Sequence, residues 1–89
     1  MKQQELQRRL LFILHRGLVE ARLLAQAKKH QQLFDLTDAL ESLPSYMDNW
    51  EERHLETIRF NLENYRKKHP SSSFDYLRYL DIDPLPERF

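Results

Sequence analysis

Residues 21–44 read ARLLAQAKKHQQLFDLTDALESLP, and the phase of the leucines on either side of Lys28-Lys29 decides the fold. Upstream, Leu6, Leu10, Ile13, Gly17, Ala21 and Leu24 recur at spacings of three and four, which draws one stripe along a helix. Downstream, Leu33, Leu36, Leu40 and Leu43 draw a second stripe, offset from the first by about 100°. One straight helix cannot bury both stripes against the same neighbour. The phase therefore predicts two helices with a turn around Lys28 to Gln31. The second should end at Leu43, because the residue before Pro44 resists the helical conformation.

The rest of the chain extends this pattern. Good helix formers dominate between Lys2 and Leu43, and Gly17 is the one glycine of the sequence. A third helix is expected to start at Asp48 or Asn49, whose side chains can cap free amides, with Glu51 or Glu52 in its first turn. It should run to Lys67 or Lys68 and bury Leu55, Ile58, Leu62 and Tyr65. The serines at 71–73 offer a cap for a short fourth helix from Phe74 to about Leu80, burying Phe74, Leu77 and Leu80. Residues 81–89, with Pro84 and Pro86, are expected to form an extended tail behind a single domain of residues 1–80. The fold class is all-α: a small bundle of three main helices and a short C-terminal one. Its expected core holds Leu6, Leu10, Ile13, Leu14, Leu18, Leu24, Leu36, Leu40, Leu43, Leu55, Ile58, Leu62 and Tyr65, with Tyr46 and Trp50 closing the end near Pro44.

Composition narrows the function classes. Eighty-nine residues make one domain, and a chain of this size buries only about 60–65% of its unfolded surface. With no cysteine, neither a disulfide framework nor a thiolate metal site can support the core. The apolar run Leu10 to Leu14 is too short for a signal peptide or a membrane span, so a cytoplasmic location is the default expectation. The charge is sorted: residues 1–34 carry seven Lys/Arg against two acids, residues 35–64 carry eight acids against two Arg, and the whole chain is neutral. Surfaces sorted in this way favour orientation and partner choice more than stability.

No motif points to catalysis. Glu51-x-x-His54 is half of a carboxylate-bridged di-iron pattern, and no second copy occurs. Asp35 and Asp38 sit three apart, but helical phase places both on the solvent side of the second helix, where neither acquires the raised pKa of an acid/base pair. One glycine cannot build a phosphate-cradling loop. The expectation is a non-enzymatic protein with no cofactor, no bound metal and no small-molecule substrate.

The interaction signals lie on the first helix. Its main apolar face spans roughly 160°, and Phe12, Val19 and Leu23 fall nearly opposite that face. With Arg16 between them they form a seam at four-three-four spacing, as between paired helices. Two coverings are open: the short fourth helix, or a second copy of the chain meeting it across a two-fold axis. Gly17, costing about 1 kcal/mol against Ala in mid-helix, suits a close helix crossing. Tyr46 and Trp50 are a second candidate contact, since Tyr and Trp often anchor interfaces. The expected function is a small protein-interaction or regulatory module, homodimeric through Phe12, Arg16, Val19 and Leu23. The alternative is a nucleic-acid-associated regulator contacting phosphates through Arg8, Arg9 and Arg16.

The run Asp35-Leu36-Thr37-Asp38-Ala39-Leu40-Glu41-Ser42-Leu43-Pro44, preceded by Leu18 to Ala25, resembles small uncharacterised bacterial all-helical proteins with a similar helix-turn-helix ending in Leu-Pro. The resemblance covers about the first half of the chain. It implies an all-helical fold and a bacterial source, and no activity accompanies it.

Overall fold

The computed structural model describes residues 2–72 and 78–85, and these form an all-α bundle of helices α1 (Gln3–Gln26), α2 (His30–Leu40), α3 (Leu43–Asp48), α4 (His54–Lys68) and α5 (Arg78–Asp81). The break between α1 and α2 falls where the leucine phase changes. Lys28 adopts a left-handed conformation at φ 58°, the Lys29 amide donates to the Leu24 carbonyl, and the Lys28 amide donates to the Ala25 carbonyl. This paired bonding closes the last turn of α1 and reverses the chain. It does so without the glycine that usually takes the left-handed position.

In the resulting hairpin α1 packs along α2, and α1 also meets α3 and α5 while α4 lies against α2. The core collects Leu6, Leu10, Ile13 and Leu24 of α1, Leu36, Ala39 and Leu40 of α2, Leu43 of α3, Ile58, Leu62 and Tyr65 of α4, and Leu80 of α5. Leu14, Leu55, Tyr46 and Trp50 are half-buried at its edges. Leu18, expected inside, is 70% exposed at the open edge where α1 meets α2.

Two boundaries differ from the expectation, each for a local physical reason. The second helix stops at Leu40 rather than Leu43, since a proline ring collides with the carbonyl four residues before it and Pro44 points that conflict at Leu40. Pro44 instead sits in the first turn of α3, behind Leu43, where a position needs no amide donor. The α4 helix begins at His54, not at Asp48 or Asn49. Asp48 still belongs to α3, and His54 itself organises the entry, its Nδ1 accepting the Glu51 amide at 3.2 Å. Beyond α4, the expected start of the fourth helix at Phe74 and the burial of Phe74 and Leu77 lie outside the described residues. Its end is seen as α5, with Leu80 buried.

Residues 81–85 do not form a free extended tail. Asp81 ends α5, the Asp83-Pro84 bond is cis, and Leu85 is buried. Arg59 of α4 grips Asp81 through both guanidinium nitrogens, at 3.1 and 2.5 Å. This pairing raises the Arg59 pKa and lowers that of Asp81. Arg59 thus ties the C-terminal end of α5 to α4.

Candidate interaction surface

The second stripe of α1 is divided between two environments. At its N-terminal end Phe12 is 3% exposed and stacks on Tyr79, ring centroids 5.7 Å apart and planes inclined by 20°. Phe12 is therefore no part of an exposed seam: the short C-terminal segment covers it. Farther along, Val19 is 45% and Leu23 59% exposed, and Leu18 on the adjoining turn is more open still. Arg16 between them is half-buried, its Nε enclosed without a hydrogen-bond partner among the described residues.

The phosphate-contact set is divided as well. Arg9 is 4% exposed and is committed inside the chain. Its Nη1 donates to the carbonyls of Ile82 at 2.5 Å and Tyr79 at 3.3 Å, and its Nη2 donates to Glu5 Oε1 at 2.7 Å. A buried cation needs such partners to offset the hydration it loses. The Glu5 carboxyl is held below its ordinary pKa chiefly by this hydrogen bond. Arg8 lies on the exposed side of the same turn. The three arginines do not form one outward patch. A signal for the buried role was present: Glu5, Arg9 and Phe12 share one helix face, and an apolar ring there implies a covering segment to which Arg9 could donate.

The aromatic corner is packed rather than open. Tyr46 stacks on His54 at 4.6 Å, Trp50 meets the same ring edge-on at 6.0 Å, and both are half-buried against the core. Among the described residues no three His, Cys, Asp or Glu side chains gather into a metal-sized cluster. Asp35 also departs from the solvent-side expectation. Its side chain is 12% exposed and its Oδ2 lies 2.7 Å from His69 Nε2, while Asp38 stays exposed. That hydrogen bond, more than the smaller contributions of Gln31 and Lys68, lowers the Asp35 pKa against the opposing effect of burial. An acid/base pair working near neutrality requires the opposite shift.

Sequence reasoning missed one concave feature. Between α1 and α2 runs an open groove of about 280 Å³. Leu14, Gly17, Leu18 and Ala21 form one wall and Leu36, Thr37 and Leu40 the other, with Glu41 and Pro44 at the end. A Cβ on Gly17 would strike the Leu40 Cδ1 methyl, so the missing side chain is what lets the helices close together at the floor. The glycine was the available signal. The groove itself was not, because it needs the relative placement of two helices.

No family model, curated protein or solved structure matches this chain.

Among the described residues no helix is long and apolar enough to cross a membrane.

Proposed function

We propose that this protein is a small non-enzymatic interaction module that works as a homodimer through exposed apolar residues in the second half of α1. The observation that carries this reading is the exposure of Leu18, Val19 and Leu23 within two turns of one helix, at 70, 45 and 59%. Single exposed leucines are ordinary on a soluble surface, but three large apolar side chains open within two turns of one helix are more than an isolated chain needs, and larger exposed apolar patches mark contact sites. Two-fold pairing is the commonest closed assembly, and it buries such a patch on both copies at once.

The nucleic-acid alternative is disfavoured by Arg9, whose donors are directed at carbonyls and a carboxylate within the chain. Sedimentation equilibrium at high micromolar concentration tests the favoured reading. A two-fold molecular mass is expected, insensitive to salt because the contact is apolar. A mass that remains monomeric, with binding to a short DNA duplex that fades as salt rises, would replace it with the alternative.

A further inference from the structure

An interface between identical copies must be complementary to itself, so one surface has to carry both the projecting part and the cavity that receives it. The α1–α2 surface does. Leu18 stands 70% exposed on the lip of the groove, and the groove beside it is floored by Gly17, Ala21 and Leu36. The charges are arranged in the same way. Arg22 lies one turn beyond Leu18 on the projecting side and Glu41 stands at the groove's end, both are exposed, and neither forms a salt bridge among the described residues.

We propose that the groove receives Leu18 of a second copy, with the two α1 helices crossing antiparallel at Leu18–Val19 and Arg22 of each copy facing Glu41 of the other. This rests on the homodimer reading and adds to it the side of α1 on which the copies meet. The register follows from the hairpin. Leu40 touches Gly17, so Glu41 stands at the level of Arg16 on α1. A two-fold axis at Leu18–Val19 exchanges levels one turn on either side of it, which carries Arg22 of the second copy to the level of residues 15–16, beside Glu41. The same operation accounts for another exposed residue. Phe34, 65% exposed, precedes Leu40 by six residues, about 9 Å along α2 at about 1.5 Å per residue. It therefore lies at the level of Leu23, which the axis brings to within about a turn of Leu11 of the second copy, itself 43% exposed. Leu18, Leu11 and Phe34 thus find apolar surroundings in one arrangement, and the cation meets the anion.

Sedimentation equilibrium of charge variants tests the arrangement. Arg22→Glu and Glu41→Arg, each alone, should weaken the dimer by roughly tenfold, since both of its ion pairs become like-charged. An equimolar mixture of the two variants should recover wild-type affinity, because the mixed dimer again holds opposite charges at both positions. Leu18→Glu should weaken it by about 100-fold or more, as expected for a central apolar anchor, while Leu23→Glu changes it little. Leu18→Ser takes the place of Leu18→Glu should the latter lose its helical circular dichroism. A mixture no tighter than its components, or a dimer broken by Leu23→Glu and unaffected at Leu18, would overturn this register and leave the homodimer reading standing. A monomeric wild type would overturn both and leave the groove to a helix of another protein.

Discussion

The two halves of α1 are built from the same residue types and end in opposite surroundings. From Leu6 to Ile13 most of the helix is enclosed: Leu6, Leu10 and Ile13 have no exposed surface, Phe12 is covered by Tyr79, and even Arg9 is buried, while Leu11 is open at 43%. From Gly17 to Gln26 only Gly17 and Leu24 are buried, and Leu18, Val19 and Leu23 face outward. The difference lies in what crosses each half. The first half is held by α3 and by α5 with its following residues, including a Gln7 hydrogen bond to the Met47 carbonyl at 2.7 Å. In the second half, α2 is the helix that lies alongside. A helix of fixed composition thus becomes core or contact surface according to the reach of its neighbours.

The largest expected effect breaks this contrast at its enclosed end. Ile13→Ala should cost about 2–5 kcal/mol in urea unfolding, because the surrounding helices cannot collapse fully around the lost methyl groups. A cost below about 1 kcal/mol would mean that the first half is as loosely held as the second.

How much of this could be read from the chain differs by kind of information. The leucine phase located the α1–α2 turn because it reports the direction each helix must face, and direction is a local property. The stripe through Leu36, Leu40, Ile58, Leu62 and Tyr65 named core residues for the same reason. Leu18 and Arg9 were misplaced because burial also depends on whether another element extends far enough to cover a given level, and that depends on the placement of other helices. Asp35 lost its solvent-side position to His69, a residue thirty-four positions away whose approach no local pattern encodes. The candidate surface was legible as a set of excess apolar residues on α1. Which of them stay uncovered was decided by the position of Tyr79, and the groove by the approach of Leu40 to Gly17.

Next in size is Arg9→Met, which keeps the packing of the side chain and removes its donors. The Tyr79 and Ile82 carbonyls lose their partner, for an expected cost of about 1–3 kcal/mol. Hydrogen exchange should accelerate in residues 78–85 before it does in α4. The variant also alters the acid limb of stability. Glu5 has a folded-state pKa below 4.5, so its contribution is present above that value and fades as pH falls through the lowered one. Arg9→Met should therefore lose less stability than wild type between neutral pH and pH of about 3. An unchanged acid slope would assign that limb to Asp35 and Asp81 alone.

A smaller effect, of opposite sign, sharpens the contrast at the other end. Lys28 holds a left-handed backbone that costs an L-residue about 1–2 kcal/mol relative to the right-handed one, and glycine is free of that cost. Lys28→Gly gives back part of the gain through its more flexible unfolded chain, leaving a net stabilisation of about 1 kcal/mol. Thermal melts should show a higher midpoint with an unchanged helical signal. A lower midpoint would mean that the lysine side chain stabilises the turn by more than its backbone strain costs.

The smallest expected change is the most informative about the open half. Leu23 is 59% exposed, so Leu23→Ser removes few packed contacts and should shift unfolding by no more than about 0.5 kcal/mol when measured in dilute protein. Ile13→Ala on the same helix sets the scale, so the ratio of the two costs measures how sharply α1 changes character near Gly17. The serine variant should also unfold with the same denaturant dependence as wild type, since little buried area is altered. A cost above about 1.5 kcal/mol at a concentration where the protein is monomeric would show that Leu23 is covered within its own chain. That result would extend the enclosed half past Gly17 and leave Leu18 and Val19 as the open part of α1.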